Sequence, residues 1–214
     1  MLDRNVPEDK FNAFVTSFAT LWIDGRTRRQ DSGEMRAIKK ASIRDFDQLC
    51  HPAHAGRFVI NPVDNGVPPL FTPTEMAAIF EANNGLIEAL LPDYIDHLGD
   101  EGTGSLDDLY VRRGVYMAAV DTVRRELHYL SSYSLTVGPV EQFVQTWTPA
   151  TRDTGEPSII SAPLPAIQHR VVAFAPFIQS MDLSQLKFVV APPVEEIPLQ
   201  GDGIHGGIHE FTFR

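Results

Sequence analysis

The chain has 214 residues, 43% of them hydrophobic, which is enough apolar material for one good core, and a single domain over 1–214 is the expectation. Its formal net charge is −10 and its pI about 5.1, which argues against nucleic acid as a partner, because phosphate binding needs a concentrated basic face. A lone cysteine, Cys50, excludes an intrachain disulfide framework; no run approaches the ~18 apolar residues of a membrane span, and MLDRNVPEDK has no signal-peptide core, so a cytoplasmic protein is expected.

The first element is an amphipathic helix over 8–22, where Phe11, Phe14, Val15, Phe18, Leu21 and Trp22 fall on one face. The basic residues Arg26, Arg28, Arg29, Arg36, Lys39 and Lys40 that follow are interrupted by Asp31 and Glu34 and read as a solvated surface. A short helix over 42–49 and a short strand over 57–60 come next, then a turn-rich stretch, 61–69, whose prolines cannot donate to a ladder. Thr72-Pro73-Thr74-Glu75 carries the components of a capping box. It opens a helix whose apolar face is Met76, Ile79, Phe80, Ile87, Leu90 and Leu91, with a possible break at Asn83-Asn84-Gly85 and a stop at Pro92. A short acidic helix over 93–98 and a surface loop over 99–105 complete a mainly helical part, 1–105.

From Leu109 the composition turns to Tyr, Val, Leu and Phe, with strands expected over 109–120, 126–137, 141–147, 159–161, 167–178 and 186–191. Pro176 within the apolar run 171–178 argues for an edge, a bulge or a corner there. Helices followed by a run of strands imply an α+β fold: N-terminal helices packed on a C-terminal antiparallel β-sandwich or partial jelly-roll, with 106–214 as the mainly β part. His128 and His169 read as packed or rim residues, and His97, at an acidic helix end, as a helix C-terminal interaction. The adjacent pairs Asp107-Asp108 and Glu195-Glu196 point apart in extended chain and form no acid/base pair.

The last thirty residues, QLKFVVAPPVEEIPLQGDGIHGGIHEFTFR, combine strand formers, a Pro-rich corner, permissive glycines and the candidate metal ligands His205, His209 and Glu210. On a continuous strand His205 and His209 face one way and Glu210 the other; a turn or bulge at Gly206-Gly207 is needed to bring all three together. Imidazole and carboxylate suit zinc or non-haem iron. The spacing alone is equally that of two surface histidines around a tight turn whose glycines supply positive φ.

The order QLKFVVA, Pro-rich corner, GDGIHGGIHEF resembles the first-ligand segment of a bacterial family of Fe(II)/2-oxoglutarate dioxygenases that includes the isoleucine dioxygenases. That family shows a stretch of the form G-[VI]-H-x-D-G-x-[DE]-F, which Gly203-Ile204-His205 matches at its start and Glu210-Phe211 at its end. YVRRGVY (Tyr110 to Tyr116) and VGPVEQF (Val137 to Phe143) look like the family's Tyr/Arg-rich strand and its G-G-[VI]-x-R-x-F segment, so the likeness covers about the second half of the chain. The family's triad aspartate is replaced here by Gly207, as in the related halogenases, and its second histidine and 2-oxoglutarate-binding arginine lie beyond the position of Arg214.

The resemblance implies an iron/2-oxoglutarate oxygenase hydroxylating a small polar substrate such as a free amino acid, with Fe(II) and 2-oxoglutarate as cofactors and His205 as the first ligand. His209 and Glu210 are then substitute ligands, and a homo-oligomer whose second chain supplies further ones is compatible with it. The departures support the alternative of a non-catalytic, degenerate or shortened relative that binds a ligand or a protein partner. The two differ in one geometric expectation: an inward His205 with two more donors, or a His205 facing solvent or making one ordinary contact.

Overall fold

The structure is a computed structural model, and it describes residues 6–15, 71–95, 109–117, 131–146, 155–174, 187–191 and 198–213. Outside them lie the Arg26 to Lys40 cluster, the elements expected over 42–49 and 57–60, the turn 61–69, the loop 99–105, Cys50, His97, His128, Pro176 and both adjacent acidic pairs. The helices are α1 (Glu8–Phe14), α2 (Pro73–Ile95), α3 (Val137–Thr146) and α4 (Leu164–Ile167), the last continuing into a 3₁₀ turn, Gln168–Arg170. The strands are β1 (Tyr110–Met117), β2 (Ser131–Ser134), β3 (Glu156–Pro163), β4 (Val171–Phe174), β5 (Lys187–Val190), β6 (Leu199–His205) and β7 (Ile208–Phe213).

The chain is α+β. Its described strands form one sheet in the order β4-β5-β2-β1-β3-β7-β6. Every neighbouring pair is antiparallel except β3 with β7, which run parallel. That parallel pair brings the tail of the chain back beside the middle of the sheet: Ile159 stands opposite Glu210, and Ser161 opposite Thr212. The described strands thus follow one linear order within a single hydrogen-bonded sheet.

The capping box at the start of α2 is complete. The Thr72 amide donates to Glu75 Oε2 at 2.7 Å, and the Glu75 amide donates to Thr72 Oγ1 at 3.3 Å. Lys10 of α1 donates to both Glu75 oxygens at 2.9 and 3.0 Å, so one carboxylate caps α2 and ties α1 to it. α2 then runs unbroken through Asn83-Asn84-Gly85, contrary to the possible break. The Asn83 amide donates to the Ile79 carbonyl at 2.8 Å and to Val172 of β4 at 3.0 Å, so a residue that favours turns is here anchored to the sheet. Pro92 lies inside α2 rather than ending it. Leu91 and Ile95 on either side of it are buried in the main core, and their burial offsets the missing amide.

Three apolar clusters hold the elements together. The largest joins Ile87, Leu91 and Ile95 of α2 to Val111, Tyr133, Ile160, Val190 and the stacked rings of Phe174 and Phe188, whose centroids are 4.7 Å apart. A second packs Phe14, Phe71, Met76 and Ile79 against Val172, Ala173, Val189 and Ala191. The third seats Val140 and Val144 of α3 on Ile159 and Ile208.

Two expected strands are corrected. Of the strand expected over 141–147, residues 141–146 are helix: Val137 to Thr146 is α3, and Val137, Val140 and Val144 are buried at spacings of three and four, the helical period. The run expected over 167–178 begins as α4 and the 3₁₀ turn, and extended structure starts only at Val171. β4 is an edge strand of the described sheet and carries a register shift between Val171 and Ala173; Pro176, on which the expected edge, bulge or corner rested, lies outside the described residues. The other edge, β6, shifts register between Gly201 and Gly203.

Candidate functional site

The tail forms a two-residue hairpin. His205 pairs with Ile208, and Gly206 and Gly207 turn the chain with φ of 55° and 83°, a geometry that L side chains adopt only at a cost. The register decides where the three candidate ligands go. Directly opposed residues of an antiparallel pair share a face, so His205 lies with Ile208, and His209 lies with Ile204 on the other side. Glu210, next to His209, alternates back to the face of His205 and Ile208, the face that α3 covers.

His205 and Glu210 thus share a face but have different partners. The His205 side chain is 45% exposed, and its Nε2 stands 3.6 Å from Glu141 Oε1 of α3, beyond hydrogen-bond distance. Glu141 also lies against Gly206, where an added Cβ would overlap its Oε1. Glu210 accepts from Arg112 Nε at 3.2 Å and from the Ser161 hydroxyl, both through Oε1. The hairpin therefore does not gather His205, His209 and Glu210 at one point, and among the described residues no three His, Cys, Asp or Glu side chains stand together as a metal-binding group.

What the fold does assemble is a polar strip beside α3. On β1, Tyr110, Arg112, Gly114 and Tyr116 point to this face at alternate positions. Gly114 admits α3: a Cβ there would overlap Val144 Cγ2 and lie 3.1 Å from Phe143 Cδ1 and 3.2 Å from the Val140 carbonyl. Tyr116 donates to the Val144 carbonyl at 2.6 Å, fixing the C-terminal part of the helix. Where α3 ends its cover, Arg112 and Glu210 emerge as a half-buried pair, with side chains 22% and 18% exposed. Ser161 lies beneath them, fully buried, and Ser134, level with Arg112 on β2, sits 3.4 Å from the Thr136 hydroxyl. Tyr110 at 40% and Phe143 at 46% exposure are two of the three large exposed hydrophobic side chains among the described residues, and they flank Arg112.

The strip is chemically balanced. Arg112 uses Nε on Glu210 and keeps its two Nη groups without a partner among the described residues; Glu210 likewise keeps Oε2. The pair presents donors and an acceptor side by side with no net charge. On the other side of the sheet Tyr133 is fully buried, and burial raises its pKa against the opposing charges of Arg113 and Arg170. His169 lies at the rim in the 3₁₀ turn, and desolvation, with Arg170 beside it, lowers its pKa.

Of these residues the tail candidates His205, His209 and Glu210 were visible from sequence, whereas Arg112, Ser161 and Glu141 as partners of Glu210 and His205 were not. Period-two placement puts Arg112 on one face of β1, but 98 residues separate it from Glu210, and only the return of β7 beside β3 joins them. No protein-family model matches the chain, and no curated protein or solved structure matches it. The class defined by fold is therefore α+β with a mostly antiparallel sheet. Among the described residues no helix is long and apolar enough to cross a membrane.

Proposed function

We propose that the chain is a non-catalytic binding module whose contact surface is the strip around Arg112 and Glu210. The observation that carries this reading is the half-buried Arg112–Glu210 pair, whose Nη donors and Oε2 acceptor have no partner among the described residues, close to the exposed Tyr110 and Phe143. Aromatic rings and arginine are the side chains most enriched where proteins make specific contacts. A carboxylate committed to an arginine and a serine is poorly available to a metal, since ligation would leave Arg112 half-buried and unpaired.

The oxygenase alternative keeps the support of Gly203-Ile204-His205 and Glu210-Phe211, the residues that resemble the dioxygenase segment. It requires Fe(II) to find three donors, and His205, His209 and Glu210 do not fit one ion while they lie on two faces and Glu210 is bonded elsewhere. The carboxylate beside His205 is Glu141.

Two titrations test the proposal. With the amide spectrum of the labelled full chain as readout, a panel of small polar metabolites and short peptides is expected to shift Tyr110, Arg112, Phe143 and Glu210 together. Anaerobic Fe(II) calorimetry with and without 2-oxoglutarate is run on the wild type and on His205→Ala. Stoichiometric Fe(II) binding that needs His205 and tightens with 2-oxoglutarate would overturn the binding-module reading in favour of the oxygenase.

A further inference from the structure

We draw no further inference here: the strongest candidate, the His205–Glu141 side-chain pair where the β6–β7 hairpin meets α3, belongs to the site already described, and among the described residues no third side chain joins it as a metal-binding group.

Discussion

Gly114→Ala probes the contact that seats α3 on the sheet. The new methyl would overlap Val144 Cγ2, with Phe143 Cδ1 at 3.1 Å and the Val140 carbonyl at 3.2 Å. Val144 cannot easily turn away, because a valine in a helix has one strongly preferred rotamer, and the carbonyl belongs to the helix backbone. α3 must lift or tilt, and it is held down by the 2.6 Å bond from Tyr116 to the Val144 carbonyl. Overpacking of this kind costs about 1–3 kcal/mol. Against that, losing the glycine stiffens the unfolded chain and returns about 0.4–1 kcal/mol, so the net destabilisation is about 1–2 kcal/mol. Urea unfolding measures it as a lower midpoint at unchanged slope. The double variant Gly114→Ala/Val144→Ala supplies the control. Val144→Ala alone opens a cavity, but with Ala at 114 the added methyl occupies that space, and the pair couples favourably by about 1 kcal/mol or more. A neutral or stabilising Gly114→Ala, or strict additivity in the double variant, would show that α3 does not depend on that glycine.

Glu75→Gln keeps an amide oxygen for the Thr72 amide but removes the charge that strengthens this cap and holds Lys10, and is expected to cost about 0.5–1 kcal/mol. Burial pushes the Glu75 pKa up, but the Thr72 amide and Lys10 outweigh it and the net shift is downward. Its contribution is therefore present above the ordinary carboxylate pKa and lost as pH falls through the folded value, so the wild-type advantage over Glu75→Gln in urea midpoint should shrink on acidification. Asn83→Asp places a carboxylate against the Ile79 and Val172 carbonyls and is expected to destabilise by about 2–4 kcal/mol, more than Asn83→Ala; the order of the two melting temperatures checks this. At the hairpin, where Gly207 has φ of 83°, Gly207→Val is expected to cost about 1–2 kcal/mol and Gly207→Asn markedly less, read from the two urea midpoints.

Much of the local structure was legible in the residues themselves. The Thr72–Glu75 box depends on groups three residues apart, and the Gly206-Gly207 turn depends on backbone freedom that glycine alone has, so each was readable where it stands. The change from helical to strand-rich composition near Leu109 gave the α+β class for the same local reason. Helix α3 shows the opposite case. Its valines and phenylalanine suited a strand by composition, and it became a helix because Val137, Val140 and Val144 at spacings of three and four match the bare surface over Gly114. Asn83 and Pro92, breakers by propensity, remain inside α2 because bonds to β4 and burial of Leu91 and Ile95 outweigh a local cost.

The candidate site lies further still from what sequence can decide. His205, His209 and Glu210 stand together in the chain, but the strand alternation on either side of the turn sends His209 to one face and His205 with Glu210 to the other. The partners of the last two, Glu141, Arg112 and Ser161, lie 64, 98 and 49 residues away in the chain. The sequence alone determined the elements held by short-range bonds and backbone freedom. Which charges meet was decided by the order of strands in the sheet, because the parallel return of β7 beside β3 is a long-range pairing that no local pattern encodes.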